Sequence, residues 1–309
     1  MRKMDKKERI RAALTGKPVD RVPFSFWYHF GLQHSPGKDH ARVELDFYKA
    51  YDLDFLKVMN DYPFPLPQGM DQIRNKDDWY RVSHVTYTQQ LKALKLIGSK
   101  LSKEAYFIET IFSPWSIAHK MCREKIIKFM KESPEALLYG LEVITQSFEC
   151  YLQEVLAETE LSGIFLSIGG ASYDFMTEKE YARFGRPFDL RILKIMKKSP
   201  LNVLHLHGNR LHFKAMADYP VQAINWSHRH SPPTLKKARE LYPGCLIAGV
   251  DEHNTDQLFP STIRKQVRET IQQAGERKLI IGPGCAVPTQ TPVANLMALR
   301  EGINDYYSK

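Results

Sequence analysis

Eight short apolar runs punctuate the chain, each of strand length and bounded by polar or turn-forming residues. They are "VPFSFW" (22–27), "DFLKVM" (54–59), "AYFIETIF" (105–112), "GIFLSIG" (163–169), "NVLHLHG" (202–208), "QAINWS" (222–227), "CLIAGVD" (245–251) and "KLIIGPG" (278–284). Most are separated by stretches with apolar positions at helical spacing, among them 133–159, 177–198 and 262–275. Thr177 and Glu180 have the spacing of a capping box, and Thr291-Pro292 offers a cap followed by proline. Strands that alternate with helices need crossover connections, and therefore a parallel sheet. Eight such units in 309 residues predict an α/β fold, a (β/α)8 TIM barrel, as a single domain over 1–309 with an N-terminal helical extension. A doubly wound open sheet is the competing arrangement, but no G-x-G-x-x-G follows the first strand.

A barrel of this kind does its chemistry where the strands end, at the C-terminal edge. Collecting polar residues from those edges gives His29, Asp61, Glu109, Ser167, His205, His207, Asn225, His228, Asp251 and Cys285. Each alone is weak evidence; together they describe a polar pocket and predict an enzyme. His205 and His207 are two apart on a strand and so point to the same side. Two imidazoles there admit three readings: metal ligands, direct contacts to an anionic substrate, or hydrogen-bonded core histidines. Plainer alternatives stand beside the others too: Asp61 as a helix cap, Ser167 as a loop former, and Cys285 as filler behind a Gly-Pro-Gly turn. His228 and His230, in "SHRHSPP", read as an exposed loop.

Composition narrows the partners. The formal charge of +9 is spread over helix faces such as "REKIIKFMK" and "LKKARE", with no aromatic-plus-basic stripe, which argues against nucleic acid. The four cysteines form no C-x-x-C pair, as expected of a reducing compartment. "MRKMDKKERIRAALTGK" is too charged for a signal peptide, and no apolar run approaches the length of a membrane span. The expectation is a cytoplasmic protein that binds neither membrane nor nucleic acid.

Four segments, "KKERIRAALTGKPVDRVP", "HLHGN", "YPVQAINW" and "GPGCAVPTQTPVANLMALREGI", resemble the uroporphyrinogen decarboxylase superfamily and occur in its order. The resemblance implies a (β/α)8 barrel, a homodimer and one of two activities. One branch decarboxylates porphyrinogens without a cofactor. The other uses zinc to move methyl groups between corrinoid proteins and thiols.

Residue by residue, the resemblance separates the branches. Where decarboxylases carry an arginine motif that binds substrate carboxylates, this chain has "PFSFWYHFGL", with Tyr28 and Leu32 at the arginine positions. A decarboxylase aspartate survives as Asp61 in "DFLKVMND", and a strand-four serine as Ser167. A tyrosine expected near "SPWSIAHK" is absent, with Lys120 nearest to it, and the late histidine is replaced by Cys285. Losing a charged hydrogen-bond partner costs roughly 1.5–3 kcal/mol, so a substrate with eight carboxylates would bind poorly without its arginines. The zinc branch ligates metal through H-x-C on the fifth strand and a later G-C-x-x-P cysteine; here the same places hold His205-Leu206-His207 and Cys285. Histidine is a legitimate zinc ligand, and three protein ligands with one open position is the catalytic pattern. The resemblance therefore implies metal at His205, His207 and Cys285, with Asp61, Ser167 and the histidines catalytic. Tyr28, His29, Glu109, Asn225 and Asp251 would contact a tetrapyrrole, corrinoid or smaller substrate. Decarboxylation of a porphyrinogen or other carboxylate, without cofactor, is the alternative. A barrel that binds tetrapyrroles or a corrinoid protein without catalysis is a second.

Overall fold

The structure, a computed structural model, describes residues 2–308. Seven parallel strands lie side by side in chain order: β1 Phe55–Val58, β2 Tyr106–Phe112, β3 Ile164–Gly169, β4 Val203–His207, β5 Ala223–Trp226, β6 Cys245–Val250 and β7 Leu279–Pro283. The first expected strand, 22–27, is reduced to a single parallel bridge, Phe24 to Ile281. It still closes the barrel. Ile281 N–H donates to Pro23 O (2.8 Å), Ser25 N–H to Ile281 O (3.0 Å), and Asp54 N–H to Phe24 O (3.1 Å) on the β1 side. The ladder stays short for a local reason. Pro23 has no N–H to give, and the Phe24 N–H donates to the Asp54 carboxylate (2.9 Å) instead of to a strand. Arg9 and Arg21 donate to the same buried carboxylate, each at 2.7 Å, so the seam is held by one ionic cluster.

Alternation along each strand divides the apolar residues into two buried layers. Phe55, Ile108, Phe165, Val203, Ile247 and Ile280 fill the barrel interior. Leu56, Phe107, Leu166, Leu204, Leu246 and Ile281 face outward against the helices. The helix Lys6–Thr15 is the expected N-terminal extension. Its Ile10 and Ala13 complete the interior layer and plug the end of the barrel opposite the strand termini. Asp5 caps that helix by accepting from the Glu8 N–H. The capping box at Thr177 and Glu180 is formed. Thr291 does not cap; Pro292 occupies that position and the helix runs Val293–Tyr307. Among the described residues, no helix is long and apolar enough to cross a membrane.

Candidate metal centre at the mouth of the barrel

The pleat of β4 turns Val203, His205 and His207 inward, and the register sets Ser167, His205 and Asn225 side by side on three strands. His205 is buried, and its ring lies nearly parallel to Phe165 with centroids 5.1 Å apart. Its Nδ1 is 2.7 Å from Asn225 Oδ1. The Asn225 amide nitrogen donates to two carbonyls, Ile247 O and Pro283 O, both at 2.9 Å, which fixes Oδ1 as the acceptor toward His205. The proton of His205 is therefore on Nδ1, and the Nε2 lone pair is free for a ligand.

Cys285 follows β7 across the mouth. Its Sγ lies 3.7 Å from His207 Nδ1, and one ligand atom from each of His205, His207 and Cys285 falls within 4.8 Å of the others. Burial pushes the Cys285 thiol up. The adjacent His205 ring, the Ala286 N–H and the Lys57 ammonium outweigh it, so the thiol ends below its ordinary value. A nitrogen–nitrogen–thiolate set with one imidazole already oriented suits zinc, and is unsuited to magnesium or calcium, which take oxygen.

Beside these three lies a cavity of about 210 Å³, walled by Trp27, Lys57, Thr110, Phe165 and Ser167. It shares His29, Phe112 and Lys120 with a second compartment of about 290 Å³ that reaches Asp61, Tyr62 and Tyr87. No arginine lines either compartment. A larger cleft, about 720 Å³, lies at the opposite end of the barrel, where Arg9, Asp20 and Arg21 are engaged in ion pairs.

Lys57 is the residue the sequence reading passed over. It points into the interior between Phe55 and Met59, with its Nζ 4.7 Å from the Phe165 ring centroid and 3.3 Å from Met59 Sδ. Burial pulls its ammonium down to about 7, against smaller opposing contributions from Cys285, Glu44 and Asp61. A lysine inside an apolar strand run was the available signal. Lys120, the residue nearest the missing tyrosine, stands 3.9 Å from the Phe112 ring centroid, and burial lowers its pKa too.

The remaining predicted residues divide by which way they face. His29 and Asp61 pair at the rim, Nδ1 to Oδ1 2.8 Å, and Gly31 N–H donates to Asp61 Oδ2 (3.2 Å). Burial pushes the Asp61 carboxyl up, but His29 and the backbone N–H groups pull it further down, so it stays ionised. Ser167 lines the smaller compartment. Asn225 is buried beneath His205 and orients it without lining either compartment. Tyr28 points the other way, into an aromatic cluster with Phe30 and Phe47. Glu109 also faces the helices, accepting from Tyr151 Oη (2.6 Å) and Asn60 Nδ2 (3.2 Å). Asp251 turns aside to His230, whose Nε2 is 2.7 Å away. His228 is not exposed as expected: it packs near Trp226, and burial with the nearby Arg229 and His230 holds it neutral, near 3.

The uroporphyrinogen decarboxylase (URO-D) family pattern matches residues 58–306 of this chain. The chain belongs to that family. It is similar to the methylcobamide:CoM methyltransferase MtbA of Methanosarcina mazei, at 24% identity over 97% of this chain and 98% of that protein. The MtbA protein of Methanosarcina acetivorans is 23% identical, in a match that spans 70% of this chain and 63% of that relative's length. A solved methyltransferase from Methanosarcina mazei superposes with a TM-score of 0.80 at 20% identity, covering 99% of this chain and all of that one, which establishes the barrel fold. The URO-D match begins at Val58, inside β1, and so leaves out both the plugging helix and the closing segment.

Proposed function

We propose that this protein is a methyltransferase that moves a methyl group from a methylated corrinoid to a thiol-bearing acceptor, with zinc held by His205, His207 and Cys285. The convergence of those three donors, with the His205 tautomer set by Asn225, is the observation that supports the reading. Zinc there would supply a Lewis acid that favours the ionised form of a thiol near neutral pH. The acceptor loses its thiol proton, and the sulfur electron pair forms the new S–CH3 bond. The donor–CH3 bond breaks with its electron pair remaining on the donor. Lys57 and Lys120 place positive charge beside the acceptor's sulfur and any anionic group it carries. Trp27 and Phe165 keep the reacting end dry, and a dry site strengthens each of these interactions. The His29–Asp61 pair, open to solvent at the rim, takes the displaced proton outward. The relatives named methylcobamide:CoM methyltransferases support this direction of chemistry. Porphyrinogen decarboxylation fits less well, because neither compartment offers an arginine to a polycarboxylate.

Protein purified without tag or chelator should carry about one tightly held zinc per chain and methylate a small thiol from methylcobalamin. Cys285→Ser, or His205→Ala with His207→Ala, should remove that zinc and the activity while circular dichroism stays unchanged, because the barrel core does not depend on a metal. Full activity in metal-free, chelator-dialysed protein would sink the proposal. Conversion of uroporphyrinogen at the rate of an authentic decarboxylase would replace it with the second activity.

A further inference from the structure

A second set of donors converges on the loops that follow β5 and β6. His230 Nε2 stands 2.7 Å from Asp251 Oδ1, and the His230 and His253 rings are 4.2 Å apart, centroid to centroid. One ligand atom from each of the three residues lies within 4.8 Å of the others. The carboxylate is held in place: Asp251 Oδ1 accepts the His253 N–H (3.0 Å), and Oδ2 accepts the Asn254 side-chain amide (2.9 Å). None of the three lines either compartment of the mouth.

We propose that His230, Asp251 and His253 form a second metal site, for a divalent first-row transition ion, separate from the thiol-bearing centre. Two imidazoles and one carboxylate leave several coordination positions open, an arrangement that such ions take with water in the remaining places. The histidines are open to solvent, with side-chain exposures of 31% and 57%, so an ion can enter without rearrangement of the core. With no thiolate and more solvent, this site binds more weakly than the first.

Its position gives it a role. Glu252, between two of the donors, is buried and turns back into the barrel rim, accepting from the Ser227 hydroxyl and from the Gly284 N–H (3.1 Å). Gly284 directly precedes Cys285. A side chain at 284 would begin 2.5 Å from Glu252 Oε2, so glycine is what lets the carboxylate reach that N–H. On the other side, Ser231, next to His230, donates to Gly208 O (2.8 Å), and Gly208 directly follows His207. The two loops that carry the second set of donors therefore grip the backbone on both sides of the first set. An ion joining these loops restrains the spacing of His207 and Cys285, and so tunes how firmly the first site holds its metal.

Cobalt(II) titration of metal-free protein separates the two sites, because only the first gives a sulfur-to-metal charge-transfer absorption. Wild type should take up about two equivalents, the tighter one with that absorption and the weaker one without it. His253→Gln should lower the total to about one and leave the charge-transfer band intact. A Cys285→Ser, His207→Ala protein should still bind about one equivalent, without the band, and lose it when His230→Ala and His253→Ala are added. If wild type saturates at one equivalent, or if His230 and His253 substitutions leave the weaker binding unchanged, the second site does not exist. If the charge-transfer band is missing but the weaker binding is present and sensitive to His253, the second site stands and the thiol-bearing centre fails.

Discussion

Lys57 on β1 and Glu109 on β2 are both fully buried charges in apolar strand runs, one register step apart: Lys57 pairs with Ile108, and Glu109 with Val58. They face opposite ways and live in different chemistry. Glu109 faces the helix layer, where Tyr151 from a helix and Asn60 from the segment after β1 donate to one of its oxygens. Lys57 has an aromatic face and a thioether for company and, among the described residues, no carboxylate within ion-pair distance. Burial pushes both toward neutrality, Glu109 up to about 8 and Lys57 down to about 7. A buried group with protein partners is part of the architecture; a buried group without them, beside a cavity, is waiting for a ligand.

The comparison breaks most visibly if Lys57 proves dispensable. Lys57→Met removes the cation and keeps much of the volume, so the fold should hold or gain stability. Thiol methylation should fall by about 10- to 150-fold, the equivalent of one charged hydrogen bond at roughly 1.5–3 kcal/mol. Parallel rate and melting measurements decide it: an unchanged rate per folded molecule would make Lys57 as structural as Glu109. Asn225→Ala tests the same inner face one step back from the reaction. Freeing His205 to rotate and change tautomer should weaken zinc binding by about 10- to 100-fold, read by competition with a chelator. An unaltered affinity would mean the Asn225 hydrogen bond does not orient a ligand.

Stability against pH gives the finest contrast, because the two charges act with opposite sign. Glu109 holds its proton in the folded chain up to about 8, whereas the unfolded chain releases it near the ordinary 4.5. Its contribution is fully present below 4.5 and is lost as pH rises to about 8. Lys57 gives up its proton near 7 when folded but only near 10.5 when unfolded. The unfolded state therefore binds more protons above 7, and stability rises with pH until 10.5. Each slope is at most about 1.4 kcal/mol per pH unit. Urea midpoints across this range should fall less steeply with pH in Glu109→Gln, where buried Asp189, pushed up to about 7, keeps part of the falling limb, and should lose the rising limb in Lys57→Met. Glu109→Gln should also leave methyl transfer within about twofold, since only a neutral hydrogen bond changes. A matching slope in both variants would show that some other group sets the pH dependence.

The barrel was legible because its strands announce themselves as separate apolar runs; alternation put His205 and His207 on one side, but Cys285 was named as their companion only by the family resemblance, and the structure brings its Sγ near them. What was harder to read was the direction of single side chains. Tyr28 and His29 were both expected at the substrate, yet neighbours on an extended segment face opposite sides, so alternation already excluded one of them. Nothing local said which; the choice depends on Trp27 packing inward beside Phe165, a contact between distant segments. Glu109 failed in the same way. Its parity opposes that of Thr110 and Phe112, which reach the cavity. Lys57 was overlooked because a cation in a strand run looks like an edge exposed to water, and only the closed barrel puts it inside. Asp251 has the inward parity but stands past the end of β6, where a loop takes over and the pleat no longer governs direction.

The seam at Phe24 gives the barrel an uneven wall. Seven strands are zipped by continuous ladders, while the eighth place is laced through a few backbone bonds and the Asp54 carboxylate. Local opening follows the shortest ladder, so hydrogen exchange is expected to be fastest between β7 and β1. Trp27 and His29 ride on that segment, and both line the cavity. The side of the reaction chamber with the fewest rivets is thus also the side that carries one of its aromatic walls and its rim histidine, which makes it the wall best able to yield when a bulky planar donor has to be admitted and released.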